Sequence, residues 1–167
     1  MKRSTTRAAL REPPVLQAAA RVGVSLQQAR AWFLSLANHP ERYQFDSHAG
    51  FTFTKGRFGE PGARFHTTER FYGLSVTLKF ELTEVAKDRF TFRLLAPVRG
   101  IWGCFDLAPA GSEMTRLVLA IGSDRRLNRW FLKLPLTRGA VHQQINREVE
   151  HIKQSMESLY REETWAS

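Results

Sequence analysis

The stretch LSVTLKFEL, residues 74–82, has the most regular alternation of apolar and polar side chains in this chain. Successive side chains of an extended strand point to opposite faces of a sheet, so this alternation places every apolar side chain on one face. Those side chains are Leu74, Val76, Leu78, Phe80 and Leu82. The stretch therefore predicts a strand with one face against a core and the other in water.

Further predicted strands lie on both sides of this stretch. They are residues 16–24, 51–54, 63–71, 90–94, 101–107 and 114–121. Turn residues separate them, and residues 109–112, Pro-Ala-Gly-Ser, are predicted to form the last turn. Because short turns join most consecutive strands, antiparallel pairing is favoured over parallel crossovers. We therefore expect a seven-stranded antiparallel sheet with one apolar face.

Two short helices are predicted after the first strand. Ser25 is followed three residues later by Gln28, the pattern of a capping box, and the helix that it starts runs to about Leu36. Pro40 suits the first position of a second helix, where its missing N–H costs nothing, and that helix ends near Tyr43. The predicted opening of the fold is strand, helix, short helix.

One long helix is predicted at the C-terminal end. Its apolar side chains recur every three or four residues with charged residues between them. They are Val141, Ile145, Val149, Ile152, Met156 and Leu159. A helix of about twenty residues is ~30 Å long, which is enough to cross the sheet and cover its apolar face.

The composition is that of one globular domain, with 43% hydrophobic and 25% charged residues. We expect the domain to span residues 15–162, between a disordered basic tail at residues 1–14 and a short tail at 163–167. The first tail also fits an organelle presequence. Cys104 is the single cysteine, so no intramolecular disulfide is possible, and a cytoplasmic location, with peripheral membrane contact as an option, is expected.

The order of elements resembles that of the START-like superfamily (SRPBCC), which includes Bet v 1-like proteins and polyketide cyclases. Residues 39–43, His-Pro-Glu-Arg-Tyr, are similar to a segment of its second helix, and residues 103–106 and 114–117 are similar to its penultimate hairpin. The resemblance implies an α+β helix-grip fold, in which a curved sheet wraps round the long helix and encloses a cavity for apolar molecules. It implies no catalytic residue.

Apolar side chains from the sheet and from the long helix are the expected lining of this cavity. The candidate ligand-binding residues are Val76, Leu78, Phe80, Phe90, Phe92, Phe105, Leu117, Leu119, His142, Ile145, Val149 and Ile152. The candidates that would orient a ligand by polar contact are His66, Glu69, Arg70, Tyr72, Arg93, Trp102 and His142. His142 near Glu69 would form an acid–base pair suited to a cyclase or a hydratase.

The segment DRRLNRWFLKLPLTR, residues 124–138, interleaves basic and aromatic side chains in a chain of net charge +9. The candidate contacts with a membrane or a polyanion are Arg125, Arg126, Arg129, Trp130 and Lys133. They suit an anionic membrane surface, or RNA with the indole as a stacking platform. The alternative interpretation is a connection that buries its aromatic side chains and leaves its charges in water.

We expect a protein that binds or carries a hydrophobic small molecule, such as a lipid, a quinone or a polyketide-like compound, at an anionic membrane surface. No cofactor and no metal are expected, and nucleic acid is the less favoured partner. The alternatives are an enzyme of the polyketide cyclase, aromatase or dehydratase type, and a module that binds ribosomes, RNA or protein.

Overall fold

The computed structural model describes residues 13–45, 48–71 and 73–165, and these residues form an antiparallel sheet of seven strands. The strands are β1 (Leu16–Val22), β2 (His48–Lys55), β3 (Arg64–Phe71), β4 (Leu74–Val85), β5 (Arg89–Ala96), β6 (Ile101–Gly111) and β7 (Met114–Ser123). The helices are α1 (Leu26–Ser35), a 3-10 helix (Pro40–Tyr43), α2 (Arg126–Lys133) and α3 (Pro135–Trp165). The predicted helix-grip α+β fold is confirmed.

The strand order is β1-β7-β6-β5-β4-β3-β2, so β2 to β7 form a meander and β1 closes on the last strand. Leu16 pairs with Ile121, and Val22 pairs with Thr115. The first two strands therefore lie at opposite edges of the sheet. The chain passes from one edge to the other through α1 and the 3-10 helix, which is why two short helices stand between these strands.

The predicted capping box begins α1. The Ser25 hydroxyl oxygen accepts the N–H of Gln28 (3.3 Å), and the Gln28 side-chain oxygen accepts the N–H of Ser25 (2.9 Å). The helix buries Trp32 and Phe33, and the Phe33 ring lies 4.9 Å from the Phe90 ring between centroids. This contact fixes α1 against β5, the central strand of the sheet, and fills the interior beneath α1.

The long helix α3 packs along β1 and β7. The predicted apolar stripe is buried at Ile145, Val149, Ile152 and Met156. At 31 residues the helix is longer than expected, because it begins at Pro135 and continues to Trp165, beyond the expected domain end at residue 162. Residues 1–12 of the expected basic tail, and residues 166 and 167, lie outside the described residues.

The predicted turn at residues 109–112 is wrong, because β6 continues through Pro109 to Gly111 and the chain turns at residues 112 and 113. Pairing of β6 with β5 ends at Asp106. Beyond that residue, one edge of β6 has no neighbouring strand in the described sheet, and a register shift lies between Pro109 and Gly111. Proline is tolerated at such an edge and beside such a shift, since it has no N–H to donate.

Two glycines offer a matched test of the packing. A Cβ on Gly122 would lie 2.3 Å from the buried indole of Trp102, whereas a Cβ on Gly139 in α3 meets nothing within 4 Å. We expect Gly122→Ala to lower the free energy of unfolding by about 1–3 kcal/mol, since the indole must move. Gly139→Ala should raise it by roughly 0.5–1 kcal/mol, since alanine favours a helix interior. Urea unfolding measures both, and a Gly122→Ala protein as stable as the parent would contradict this packing.

Candidate functional site

A cavity of about 310 Å³ lies between the concave face of the sheet and the N-terminal half of α3. Its aromatic walls are Tyr43, Phe51, Phe58, Phe65, Phe80, Phe92, Phe105 and Phe131. Its aliphatic walls include Leu78, Leu94, Ile101, Leu119, Ile121, Val141 and Ile145. Its polar members are Thr67, Glu69, Asn128, Thr137, Gln144 and Glu148. The cavity is therefore an apolar concavity with a small number of polar groups, which is the usual form of a small-molecule site.

The cavity exists because the aromatic side chains of β3, β4 and β5 pack along the sheet. The ring centroids of Phe65 and Phe80 are 5.2 Å apart, and those of Phe80 and Phe92 are 5.5 Å apart. The Phe92 ring also lies over Gly103, where a Cβ would be 2.2 Å from it. Rings that pack against each other and over bare backbone leave space between themselves and α3.

The structure divides the twelve predicted lining residues into two groups. Leu78, Phe80, Phe92, Phe105, Leu119 and Ile145 line the cavity. Val76, Phe90, Leu117, His142, Val149 and Ile152 do not line it. Phe90 and Phe92 illustrate the difference, since Phe90 lies under Phe33 of α1 and Phe92 lies beyond that helix. Phe105 contacts Phe33 (5.0 Å between ring centroids) and also lines the cavity, so it marks the boundary between the filled core and the open space.

His142 does not meet Glu69. It is exposed on α3, where the Asn146 amide nitrogen donates to its backbone oxygen (2.9 Å). Neighbouring helix residues point about 100° apart, so Val141, which lines the cavity, turns His142 towards solvent. The predicted acid–base pair of these two residues is therefore wrong.

The other polar candidates occupy several places. Arg70 is exposed, His66 is half-buried on the outer face, and Arg93 binds Glu81 (2.6 Å). Trp102 covers Gly122 on the outer face. Tyr72 lies outside the described residues. Of this group, Glu69 lines the cavity.

A buried acidic cluster forms one part of the cavity wall, and we define it as Tyr43, Thr67, Glu69, Gln144 and Glu148. All five side chains are buried. The Tyr43 hydroxyl donates to Glu148, and the Thr67 hydroxyl donates to Glu69 (3.2 Å). The cluster brings together the 3-10 helix, β3 and α3, three elements that are far apart in the sequence.

Burial changes the acidity of this cluster. Desolvation, with the nearby charge of Glu148, raises the pKa of Glu69 to about 8. Desolvation also raises the pKa of Glu148 to about 7, against the opposing effect of the Tyr43 hydrogen bond. The two carboxyls titrate as a pair, so they hold a proton at neutral pH where ordinary carboxyls do not. Groups with such pKa values can donate or accept protons at physiological pH.

Four members of the cluster were not among the sequence candidates: Tyr43, Thr67, Gln144 and Glu148. Gln144 and Glu148 are four residues apart on the flank of the predicted apolar stripe. This spacing was the sequence signal that could have placed both side chains beside the core. Thr67 shares a strand face with Glu69, two residues away, and its burial follows from the same alternation. Nothing local marks Tyr43 as the partner of Glu148.

The cavity opens beside α2. Val98 and Phe131 line the cavity and are also 44% and 54% exposed, so they mark its mouth. Asn128 of α2 donates its amide N–H to the backbone oxygen of Arg99 (2.9 Å), which holds the helix against the turn between β5 and β6. The mouth is therefore built from α2, from that turn and from the start of α3.

The segment 124–138 does not bury its aromatic side chains, so that interpretation is wrong. Trp130 and Phe131 are 60% and 54% exposed, and Leu127 and Leu136 are 73% and 82% exposed. Leu132 is buried and anchors α2. We call the exposed group the α2 surface, and its members are Leu127, Trp130, Phe131, Leu136, Arg125, Arg126 and Lys133. The predicted contact Arg129 is half-buried, and its side chain donates to the backbone oxygen of Pro13 (2.9 Å). Among the described residues, no helix is both long and apolar enough to cross a membrane.

The acidic cluster predicts an unusual dependence of stability on pH. The pKa values of Glu69 and Glu148 are higher in the folded chain than in the unfolded one, so the folded state binds more protons between about pH 4.5 and about pH 8. Stability should therefore fall as pH rises through that window, by an amount on the order of a few kcal/mol.

Unfolding by urea between about pH 5 and about pH 9 measures this slope. Glu148→Gln should flatten it, since an amide does not ionise. Glu150→Gln, on the exposed side of the same helix, is the control and should leave it unchanged. A parent protein whose stability rose across this window would show that the buried carboxyls are ionised throughout.

Solved structures of similar fold have low sequence identity to this chain. A START superfamily protein from Mycobacterium smegmatis is 15% identical with a TM-score of 0.61, over 88% of this chain and 97% of that one. Norcoclaurine synthase from Thalictrum flavum, in complex with dopamine and hydroxybenzaldehyde, is 12% identical with a TM-score of 0.62, over 88% and 86% of the two chains. The di-domain ARO/CYC StfQ from the steffimycin biosynthetic pathway is 12% identical with a TM-score of 0.59, over 87% and 51%.

No protein-family model matches the sequence, and no curated protein matches it. The structural matches cover most of the chain. The resemblance drawn from the order of elements is therefore confirmed for the fold, and the chain has the helix-grip fold of START and Bet v 1-like proteins.

Proposed function

We propose that this protein binds and carries a hydrophobic small molecule in the cavity between the sheet and α3. The observation that carries the proposal is an apolar cavity of about 310 Å³ with an open mouth. This volume falls at the lower end of the usual range for small-molecule sites. The fold supports it, since norcoclaurine synthase, of the same fold, was solved with two small aromatic molecules, dopamine and hydroxybenzaldehyde.

The walls supply affinity chiefly through burial of apolar surface. A ligand that transfers roughly 300 Å² of apolar area from water gains about 7 kcal/mol before the cost of association. Aromatic rings make up a large part of the wall, and their faces suit planar ligands. Quinones and polyketide-like compounds present planar apolar faces, and single-chain lipids present an apolar chain.

The α2 surface is our proposed contact with an anionic membrane. Leu127, Trp130 and Leu136 present apolar side chains to solvent, and Arg126 and Lys133 lie beside them. Exposed apolar groups among basic ones are typical of a helix that rests in the lipid headgroup region. The exposed leucines favour lipid over RNA, because base stacking uses aromatic side chains. A cavity mouth at the bilayer would let a ligand pass without crossing water.

A second candidate function is acid–base catalysis on a ligand held in the same cavity. The observation that favours it is the pair Glu69 and Glu148, buried on the cavity wall with pKa values near neutrality. Such groups suit a cyclase, aromatase or dehydratase reaction, in which protons are moved at the substrate. The two candidates differ in whether the bound molecule leaves the cavity chemically changed.

Filling the cavity should abolish binding. Leu78 lines the cavity and Thr77 is exposed on the opposite face of β4, so Leu78→Trp and Thr77→Trp form a matched pair. We expect Nile red, an apolar dye that fluoresces when buried, to bind the parent and the Thr77→Trp variant equally. Leu78→Trp should weaken binding at least about tenfold, since the indole takes the ligand's space. Equal binding by all three proteins would place the dye elsewhere.

Binding to vesicles tests the α2 surface. We expect sedimentation with vesicles that contain phosphatidylserine and little with pure phosphatidylcholine, since the basic side chains need an anionic partner. The double substitution Arg126→Glu and Lys133→Glu should remove the binding, and Leu127→Ser should weaken it. The double substitution Arg21→Glu and Arg116→Glu, at the other end of the paired strands β1 and β7, makes the same change in net charge and is the control. The membrane proposal is contradicted if the protein binds equally with and without phosphatidylserine, or if the Arg126→Glu and Lys133→Glu double variant binds as well as the parent.

A further inference from the structure

The described part of the cavity wall carries acidic side chains and no basic ones. Among the described residues that line the cavity, the ionisable side chains are Tyr43, Glu69 and Glu148, with no Lys, Arg or His. Thr137 lies near the mouth, and Glu148 lies eleven residues further along α3, about 16 Å at the rise of an α-helix. A ligand that enters past α2 therefore meets the acidic cluster at the inner end of the cavity.

Aromatic rings surround the same end. The centroid of the Tyr43 ring is 5.0 Å from that of Phe51 and 6.4 Å from that of Phe105, and all three rings line the cavity. The faces of aromatic rings attract cations, and a desolvated site strengthens the attraction. The carboxyls, with aromatic rings beside them, thus make one end of the cavity favourable to positive charge and unfavourable to a carboxylate or a phosphate.

We propose that the cavity selects apolar, preferably aromatic molecules that carry a single amine, with the ammonium group between Glu148 and Glu69. This inference rests on the proposed ligand-binding function and names the ligand class for the same cavity. The apolar body of the ligand fills the space between Phe80, Phe92 and α3. An ammonium group donates hydrogen bonds to carboxylates and balances their negative charge. Fatty acids and other anionic lipids are disfavoured, because their head groups would face buried carboxyls.

The affinity for an amine should depend on pH. The groups that face the ammonium position are Tyr43 from the 3-10 helix, Thr67 and Glu69 from β3, and Gln144 and Glu148 from α3. An alkylamine stays protonated across the neutral range, so the carboxyls decide the charge balance. Burial raises the pKa of both, and an amine therefore binds as they lose protons. Its affinity should rise by up to tenfold per pH unit below about pH 7 and level off above about pH 8.

Three probes of similar shape and different head group test the proposal: naphthylethylamine, naphthylethanol and naphthylacetate. Each is titrated into the full chain to displace Nile red. We expect the amine to bind at least tenfold more tightly than the acetate at pH 8, with the alcohol between them. The chain's net charge of +9 attracts anions, so nonspecific attraction works against this order. An acetate that binds as tightly as the amine would overturn the proposal.

Substitutions assign the preference to the carboxyls. In Glu148→Gln and Glu69→Gln, which keep the size of the side chain, the preference for amine over alcohol should fall to within about twofold while Nile red still binds. Glu150→Gln, exposed on α3, is the matched control and should keep the preference. A preference that persists in the double Glu→Gln variant contradicts the amine site. If Nile red binds and the three probes displace it equally, the proposed ligand class is wrong and the cavity function stands. If neither the dye nor the probes bind, both proposals are wrong.

Discussion

The packing of α3 against β1 and β7 is the contact on which the rest of this structure depends. The helix packs at the β1 and β7 side of the sheet, and the cavity separates its N-terminal half from the inner faces of β4 and β5. Hydrogen bonds fasten the C-terminal half of the helix, since Trp32 donates to Ser155 (3.2 Å) and Tyr160 donates to the backbone oxygen of Gln28 (3.0 Å). With that half held by α1, the open space is confined to the N-terminal half.

The acidic cluster lies on the cavity wall, where neighbouring hydroxyl groups stabilise its buried carboxyls. Burying two carboxyls costs stability, and the hydroxyls of Tyr43 and Thr67 offset part of that cost by donating to them. The same hydroxyl of Tyr43 joins the 3-10 helix to α3 in the cavity wall. A polar contact that holds the wall together therefore also sets the chemistry of the space that it encloses, and a carrier and an acid–base enzyme would use the same groups.

Local sequence pattern predicted the seven strands, α1, the 3-10 helix and α3, but it did not predict α2 and was insufficient for the site. The capping box at Ser25 and the stripe through Ile145 and Val149 depend on neighbours in the chain, so the sequence alone predicted them. Phe90 and Phe92 have the same local pattern, and only the position of α1, a tertiary feature, puts one in the core and the other on the cavity wall. Trp130 is similar, because its exposure depends on how α2 lies against the sheet.

Native mass spectrometry of the gently purified protein, followed by organic extraction, tests most directly whether the cavity holds a ligand. We expect a noncovalent adduct whose extracted component is a small apolar molecule with an amine group. A protein that appears only at its own mass, and that stays at this mass when Nile red and naphthylethylamine are added in excess, would contradict the account and show that the space beside α3 is not a binding site.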